Sequence, residues 1–162
     1  MAPLTIEHQV QRLAAALCSR GWRMASAESC TGGLIAAACT ALPGSSEWFE
    51  CAFVSYSNAA KTALLGVDPA LIEAHGAVSE PVALAMLQGT LQRAQVDIAV
   101  AVTGIAGPGG AVPGKPVGTV WLAWGTPLAQ RAERLQLPGD RGTVREATVQ
   151  AALARAFDLA TA

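Results

Sequence analysis

Ala27-Glu28-Ser29-Cys30-Thr31-Gly32-Gly33 stands between two stretches of different character. Before it, Trp22-Arg23-Met24-Ala25-Ser26 is short and mostly apolar; after it, Leu34-Ile35-Ala36-Ala37-Ala38-Cys39 is built largely of good helix formers. The order reads strand, tight turn, helix. A hydroxyl at such a turn projects from the carboxyl edge of a sheet, and the amides of the first helical turn lack intrahelical partners and carry partial positive charge. Those amides suit an oxyanion. Gly32 and Gly33, having no Cβ, let a ligand approach the backbone closely. Ser29 has two readings at this point: a nucleophile or, like Thr31, a helix N-cap.

Working outward, Ile6, Val10, Leu13 and Leu17 predict a helix over about 5–19 that ends at Gly21. Residues 49–55 read as a strand with Tyr56 at its end, 58–65 as a short helix, and Asp68-Pro69 as the start of another that stops near Gly76. Ser79-Glu80-Pro81 opens a longer helix reaching about Gln95. Residues 97–103 are nearly continuously apolar, as in a central strand covered on both faces. A glycine- and proline-rich loop, 104–116, leads to a strand at 119–124 that can pair antiparallel with 97–103. A weaker strand, 131–137, precedes a last helix introduced by Pro138-Gly139-Asp140 and striped with Val149, Leu153 and Phe157. This alternation predicts one α/β domain over 1–162: a three-layer α/β/α sandwich around a mainly parallel, mixed sheet. Ligands of such sheets sit at the carboxyl edge, where Ser29, Tyr56 and Thr103 should emerge together.

Composition narrows the function. The 162 residues are 52% hydrophobic and 14% charged, yet no apolar run reaches the roughly 18 residues that span a bilayer. The start lacks the basic and apolar pattern of a secretion signal, so a cytoplasmic location is expected. Eleven basic residues against twelve acidic, with no basic run, give no footprint for nucleic acid. Cys18, Cys30, Cys39 and Cys51 form no CxxC pair and read as buried thiols; with only two histidines present, no metal or cofactor is expected.

A serine nucleophile needs a base. His8, in the first helix, reads as a surface residue, and His75, at a helix end, is a minor candidate. Tyr56-Ser57-Asn58-Ala59-Ala60-Lys61 is more informative, because it holds the only tyrosine and one of two lysines. Burial lowers a lysine pKa until the amine accepts a proton, which arginine does not do. Lys61 and Tyr56 are therefore both candidate bases for Ser29, against the plainer reading of Lys61 as a solvated surface ammonium. The 104–116 loop fits neither phosphate motif. Gly109 to Lys115 matches G-x-x-x-x-G-K, but Pro116 replaces the hydroxyl residue and a strand follows; the dinucleotide pattern from Gly107 fails at Val112. Arg141 and Arg145, four apart at the start of the last helix, are candidates for an anion site.

The assembled motifs resemble the CinA C-terminal domain family. The resemblance rests on 27–33, Gly44-Ser45-Ser46, 56–61, His75-Gly76-Ala77-Val78-Ser79-Glu80, Thr103-Gly104-Ile105-Ala106-Gly107-Pro108, 115–120 and Pro138-Gly139-Asp140-Arg141, in family order over nearly the whole chain. Stand-alone members are nicotinamide-nucleotide amidases, so the resemblance implies hydrolysis of the carboxamide of nicotinamide mononucleotide in pyridine-nucleotide salvage. It implies Ser29 as nucleophile with Lys61 and Tyr56 handling its proton. Substrate contacts are expected from Glu28, Cys30, Thr31, Gly32 and Gly33, from Thr103, Gly104, Ile105, Ala106 and Gly107, and from Arg141 and Arg145. The expected partner is a small nucleotide, and a homodimer is the first expectation for assembly. Two alternatives stay open: an amidase for another small carboxamide, and a catalytically silent ligand-binding module.

Overall fold

The computed structural model describes residues 2–162. In chain order the elements are α1 (Ile6–Arg20), β1 (Met24–Glu28), α2 (Leu34–Thr40), a 3-10 turn (Ser45–Glu47), β2 (Phe49–Val54), α3 (Asn58–Leu65), α4 (Pro69–His75) and α5 (Glu80–Ala94). Then follow β3 (Ile98–Gly104), β4 (Thr119–Gly125), β5 (Gln130–Gln136) and α6 (Arg141–Thr161). Local chemistry sets most of the boundaries. The Thr5 side chain accepts from His8 N at the start of α1, and Gly21 closes that helix in the left-handed region. Asp68 caps α4 with Pro69 in its first turn, and Asp140 caps α6 by accepting from Thr143 N.

The five strands run in the order β2-β1-β3-β4-β5. β1 pairs parallel with β2 and β3, whereas β3–β4 and β4–β5 are antiparallel, so the mixed sheet divides its pairings evenly. β1 lies inside the sheet, hydrogen-bonded on both sides, and all five of its residues are buried. It starts two residues later than its composition suggests. Arg23 N is instead held by the Asp97 carboxylate, and the Arg20 guanidinium lies over the Trp22 ring. The strand therefore runs through Glu28, and the turn proper starts at Ser29.

One core cluster joins α1, α2 and α6 to one face of the sheet through residues such as Leu13, Ile35, Val100 and Leu153. The other joins α3, α4 and α5 to the opposite face through Leu65, Ile72, Leu87 and Ala99. Gly89 of α5 is required by the second layer, because a Cβ there would meet Leu65 O at 2.1 Å. The cysteines split, against the expectation of four buried thiols: Cys30 and Cys39 are buried, Cys51 is half-buried and Cys18 is exposed. No helix among the described residues is long and apolar enough to cross a membrane.

Candidate active site

Parallel pairing aligns the carboxyl ends of β1, β2 and β3. Ser29 N donates to Val102 O at 3.2 Å, and Ser55 N donates to Glu28 O at 2.9 Å, so both neighbouring strands pin the start of the turn. A cavity of about 220 Å³ opens at this edge. Ser29 and Cys30 line it from the turn, Tyr56, Asn58 and Lys61 from the start of α3, and Thr103, Gly104 and Ala106 from the end of β3. Ala77, Val78 and Arg141 complete the wall. A larger groove, about 640 Å³, runs between α3 and α4 and shares Asn58 with the cavity, but its lining is mainly apolar and includes no cation.

The Lys61 side chain crosses from α3 into this edge and is only 1% exposed. Its Nζ lies 3.1 Å from Ser29 Oγ, 3.1 Å from Tyr56 O and 3.3 Å from Ser55 O. Burial holds its pKa below the ordinary value of 10.5, with the nearby Cys30 sulfur opposing the shift. Three partners suit both protonation states. A neutral amine donates two hydrogens to the carbonyls and presents its lone pair to the serine hydroxyl, while an ammonium donates to all three.

Glu28 does something other than bind substrate. Its carboxylate is fully buried and accepts from Thr31 Oγ1 (2.7 Å), Gly33 N (3.1 Å), Ile35 N (2.9 Å), Ala36 N (3.0 Å) and Ser26 Oγ (3.3 Å). It thereby fills the N-terminus of α2, where Gly33 supplies no side-chain cap. The expected contact of Glu28 with substrate is corrected accordingly, and Thr31 is left only its backbone amide for one: both side chains are spent on each other and on the helix. The helix amides at Gly33, Ile35 and Ala36 are likewise occupied. Cys30 N and Thr31 N donate to no backbone carbonyl among the described residues, the Cys30 amide facing its own sulfur, and they are the donors left beside Ser29.

Arg145 is also corrected. Its Nε donates to Cys30 O at 3.0 Å and its guanidinium to Thr31 O at 3.2 Å, so it braces the turn from behind and does not line the cavity. The same contact explains Gly32, whose φ is +58° and whose Cβ would lie 3.3 Å from Arg145 Nη2. Gly32, Gly33 and Ile105 lie outside the cavity wall, Ile105 being tied through its backbone to Gly118 and Thr119. Thr103 does line the wall, with its hydroxyl donating to Ala77 O at 3.0 Å. Gly104 lines it too, and a Cβ there would meet Val120 Cγ2 at 2.6 Å and Cys30 Sγ at 3.2 Å.

Tyr56 reaches the cavity, but its hydroxyl accepts from Arg141 Nη2 at 3.2 Å and has no hydrogen bond to Ser29 or Lys61. Of the two expected proton-handling groups, only Lys61 is hydrogen-bonded to Ser29. Arg141 donates a second bond to Gly107 O at 2.9 Å and stands at the cavity wall. His75 is exposed at the end of α4 and His8 is exposed on α1, so neither is a base for Ser29. Burial pushes the Cys30 thiol up to about 11, which leaves it protonated at neutral pH.

Asn58, Ala77 and Val78 line the cavity without having been named as site residues, although the motifs 56–61 and 75–80 contain them. Asn58 offered a signal: it follows Ser57, the cap of α3, two residues after Tyr56. The small apolar pair had only its place in the 75–80 motif, and it reaches the site through the α4–α5 connection.

The CinA C-terminal domain model matches residues 6–159. The chain belongs to this family. A family relative named nicotinamide-nucleotide amidohydrolase PncC, from Pseudomonas putida, is 52% identical over 139 residues, which cover 86% of this chain and 87% of the relative. A CinA-like protein of Syntrophobacter fumaroxidans is 52% identical over 85% of this chain, and the match takes up 32% of that protein. The chain spans about a third of the length of several such CinA-like relatives. Among solved structures, the CinA superfamily protein of Klebsiella pneumoniae superposes with a TM-score of 0.94 at 37% identity, covering 98% of this chain and 99% of that one. The competence/damage inducible protein CihA of Agrobacterium tumefaciens gives 0.91 at 42% identity, covering 95% and 94%.

Proposed function

We propose that this chain is an amidohydrolase acting on the carboxamide of nicotinamide mononucleotide through a Ser29 acyl-enzyme, with Lys61 as its base. The observation that carries the reading is the buried Lys61 amine 3.1 Å from Ser29 Oγ, with two carbonyls orienting it. The similarity to the Pseudomonas putida amidohydrolase over most of both chains supports the choice of substrate.

Neutral Lys61 takes the Ser29 proton as Oγ attacks the carboxamide carbon. The resulting ammonium keeps both carbonyl partners, Ser55 O and Tyr56 O. The oxyanion falls to the amides of Cys30 and Thr31, each worth about 3 to 4 kcal/mol when well placed. Lys61 then returns the proton to the nitrogen, so that ammonia and not amide ion departs. Water, deprotonated by the same amine, attacks the ester and releases nicotinate mononucleotide with Ser29 restored. Arg141 receives the phosphate at the cavity wall. We place the reaction in the cytoplasm, in pyridine-nucleotide salvage, with a homodimer as the first assembly to test.

The test is mass spectrometry of the purified chain incubated with nicotinamide mononucleotide. The expected result is nicotinate mononucleotide with stoichiometric ammonia, lost in Ser29→Ala. Turnover of other carboxamides but not of this one would replace the substrate, and no turnover of any would leave a ligand-binding module.

A further inference from the structure

We infer that Tyr56 is a specificity-determining residue whose ring recognises the positive charge of the substrate's pyridinium, selecting oxidised over reduced nicotinamide nucleotide. This rests on the substrate class proposed above.

The starting observation is an imbalance of charge. The cavity wall holds one permanent cation, Arg141, beside the Lys61 amine, and no carboxylate. Glu28, the acid nearest in sequence, acts on the wall only from behind Cys30, its carboxylate facing α2 and the turn. An N-alkylated nicotinamide ring is itself a cation, so a site that admits it needs a source of negative potential. Tyr56 is the only aromatic residue of the wall, and the face of an aromatic ring attracts a cation within about 6 Å of its centroid.

The placement of Tyr56 fits that task better than proton transfer. The side chain is 61% exposed, a large apolar surface left open at the cavity. Its hydroxyl is tied to Arg141, and Arg141 is tied in turn to Gly107 O, so the ring is fixed at its tip while its faces stay free of hydrogen bonding. Its own carbonyl orients Lys61 Nζ, which sets the ring one residue from the chemistry. A carboxamide carbon at Ser29 and a phosphate at Arg141 leave the intervening ring of the substrate beside Tyr56. Arg141 cannot serve the pyridinium, being of like charge. The reduced nucleotide carries the same carboxamide, ribose and phosphate on a neutral, non-aromatic dihydropyridine ring, which offers the Tyr56 face no cation.

The test is binding of oxidised and reduced nicotinamide mononucleotide by calorimetry to the Ser29→Ala chain, where reactivity does not enter. Selection by the ring predicts roughly three- to thirty-fold tighter binding of the oxidised form. Tyr56→Phe should keep most of that preference, because the ring remains; Tyr56→Leu should bring the ratio close to one while circular dichroism confirms the fold. An unchanged ratio in Tyr56→Leu overturns the inference, and loss of the ratio in Tyr56→Phe assigns selection to the hydroxyl and overturns it too. Failure of the Ser29→Ala chain to bind either nucleotide overturns it as well. Ring-dependent selection by a chain that releases no ammonia from the nucleotide refutes only the amidohydrolase reading.

Discussion

Glu28 and Lys61 are the two charged side chains buried among the described residues, and they flank Ser29 from opposite faces of the sheet. Glu28 faces the α2 layer, where five donors surround its carboxylate. Lys61 comes from the α3 layer with three partners, one of which is the reactive hydroxyl. Burying a charge is costly without compensation. For Glu28 the compensation is complete: backbone amides and hydroxyls donate to both carboxylate oxygens. For Lys61 it is partial: the pKa is lowered by burial, and the amine can give up its proton without losing a partner. One buried charge builds the turn, and the other is proposed to work on it.

The widest separation between the two roles should appear in Lys61→Arg. Arginine keeps the charge but stays protonated above about pH 12, so it cannot accept the Ser29 proton. Single-turnover acylation should fall by roughly 10² to 10⁴ while nucleotide binding persists. A near-normal acylation rate in the variant would sink the general-base role. In the wild type the same role fixes the sign of the pH dependence. Only the neutral amine accepts a proton, so kcat/KM should rise about tenfold per pH unit on the acid side and level off above the Lys61 pKa. Burial lowers that pKa, so the plateau must begin below 10.5. A rate that falls as pH rises across this range would mean the charged form is the active one.

Glu28→Gln tests the other side. The amide oxygen can keep the three donors that meet Oε1, but its NH2 then faces the Ala36 amide where Oε2 accepted at 3.0 Å. Two donors pointed at each other should cost about 2 kcal/mol of stability, read from urea denaturation. The loss should be accompanied by a lower kcat with little change in KM, because the variant disturbs the Ser29 turn and not the cavity wall. Full activity in a destabilised variant would confine Glu28 to holding the fold.

This contrast also marks where the sequence was legible. Periodicity and caps give the elements within a residue or two: Asn58–Leu65 comes out as expected, and so does the Asp68-Pro69 start of α4. The meeting of Ser29, Tyr56 and Thr103 at one sheet edge also follows from strand order alone. Side-chain direction is harder to read. Glu28 and Ser29 are adjacent and so face opposite sides of β1, a consequence of strand alternation once the strand is known to run through Glu28. Placing the strand end two residues early hid that, and made the whole motif look like substrate wall. Arg141 and Arg145 are four apart on α6, yet one meets Tyr56 and Gly107 while the other braces Cys30 and Thr31. Which of two like residues a turn will claim depends on distances that linear spacing does not contain.

The smallest effect is expected beside the nucleophile itself. Cys30 shares the cavity wall with Ser29 and is intrinsically the better nucleophile as a thiolate. It is 5% exposed, however, and burial pushes its thiol up to about 11, only partly offset by its own backbone amide and then by Arg145 and Lys61. At pH 7.5 that leaves roughly one thiol in a few thousand ionised. The sulfur also packs against the backbone at Gly104, where a Cβ would come within 3.2 Å, so its visible role is to fill space behind the site. Cys30→Ala should therefore keep activity within about five-fold of wild type and lose about 1 kcal/mol of stability from the missing sulfur. A thiol reagent added to the native chain should modify exposed Cys18 long before Cys30. Loss of activity in Cys30→Ala together with retention in Ser29→Ala would transfer the nucleophile to the sulfur, and the proposed contrast between an inert and a working buried charge would have to be rebuilt around a Cys30–Lys61 pair.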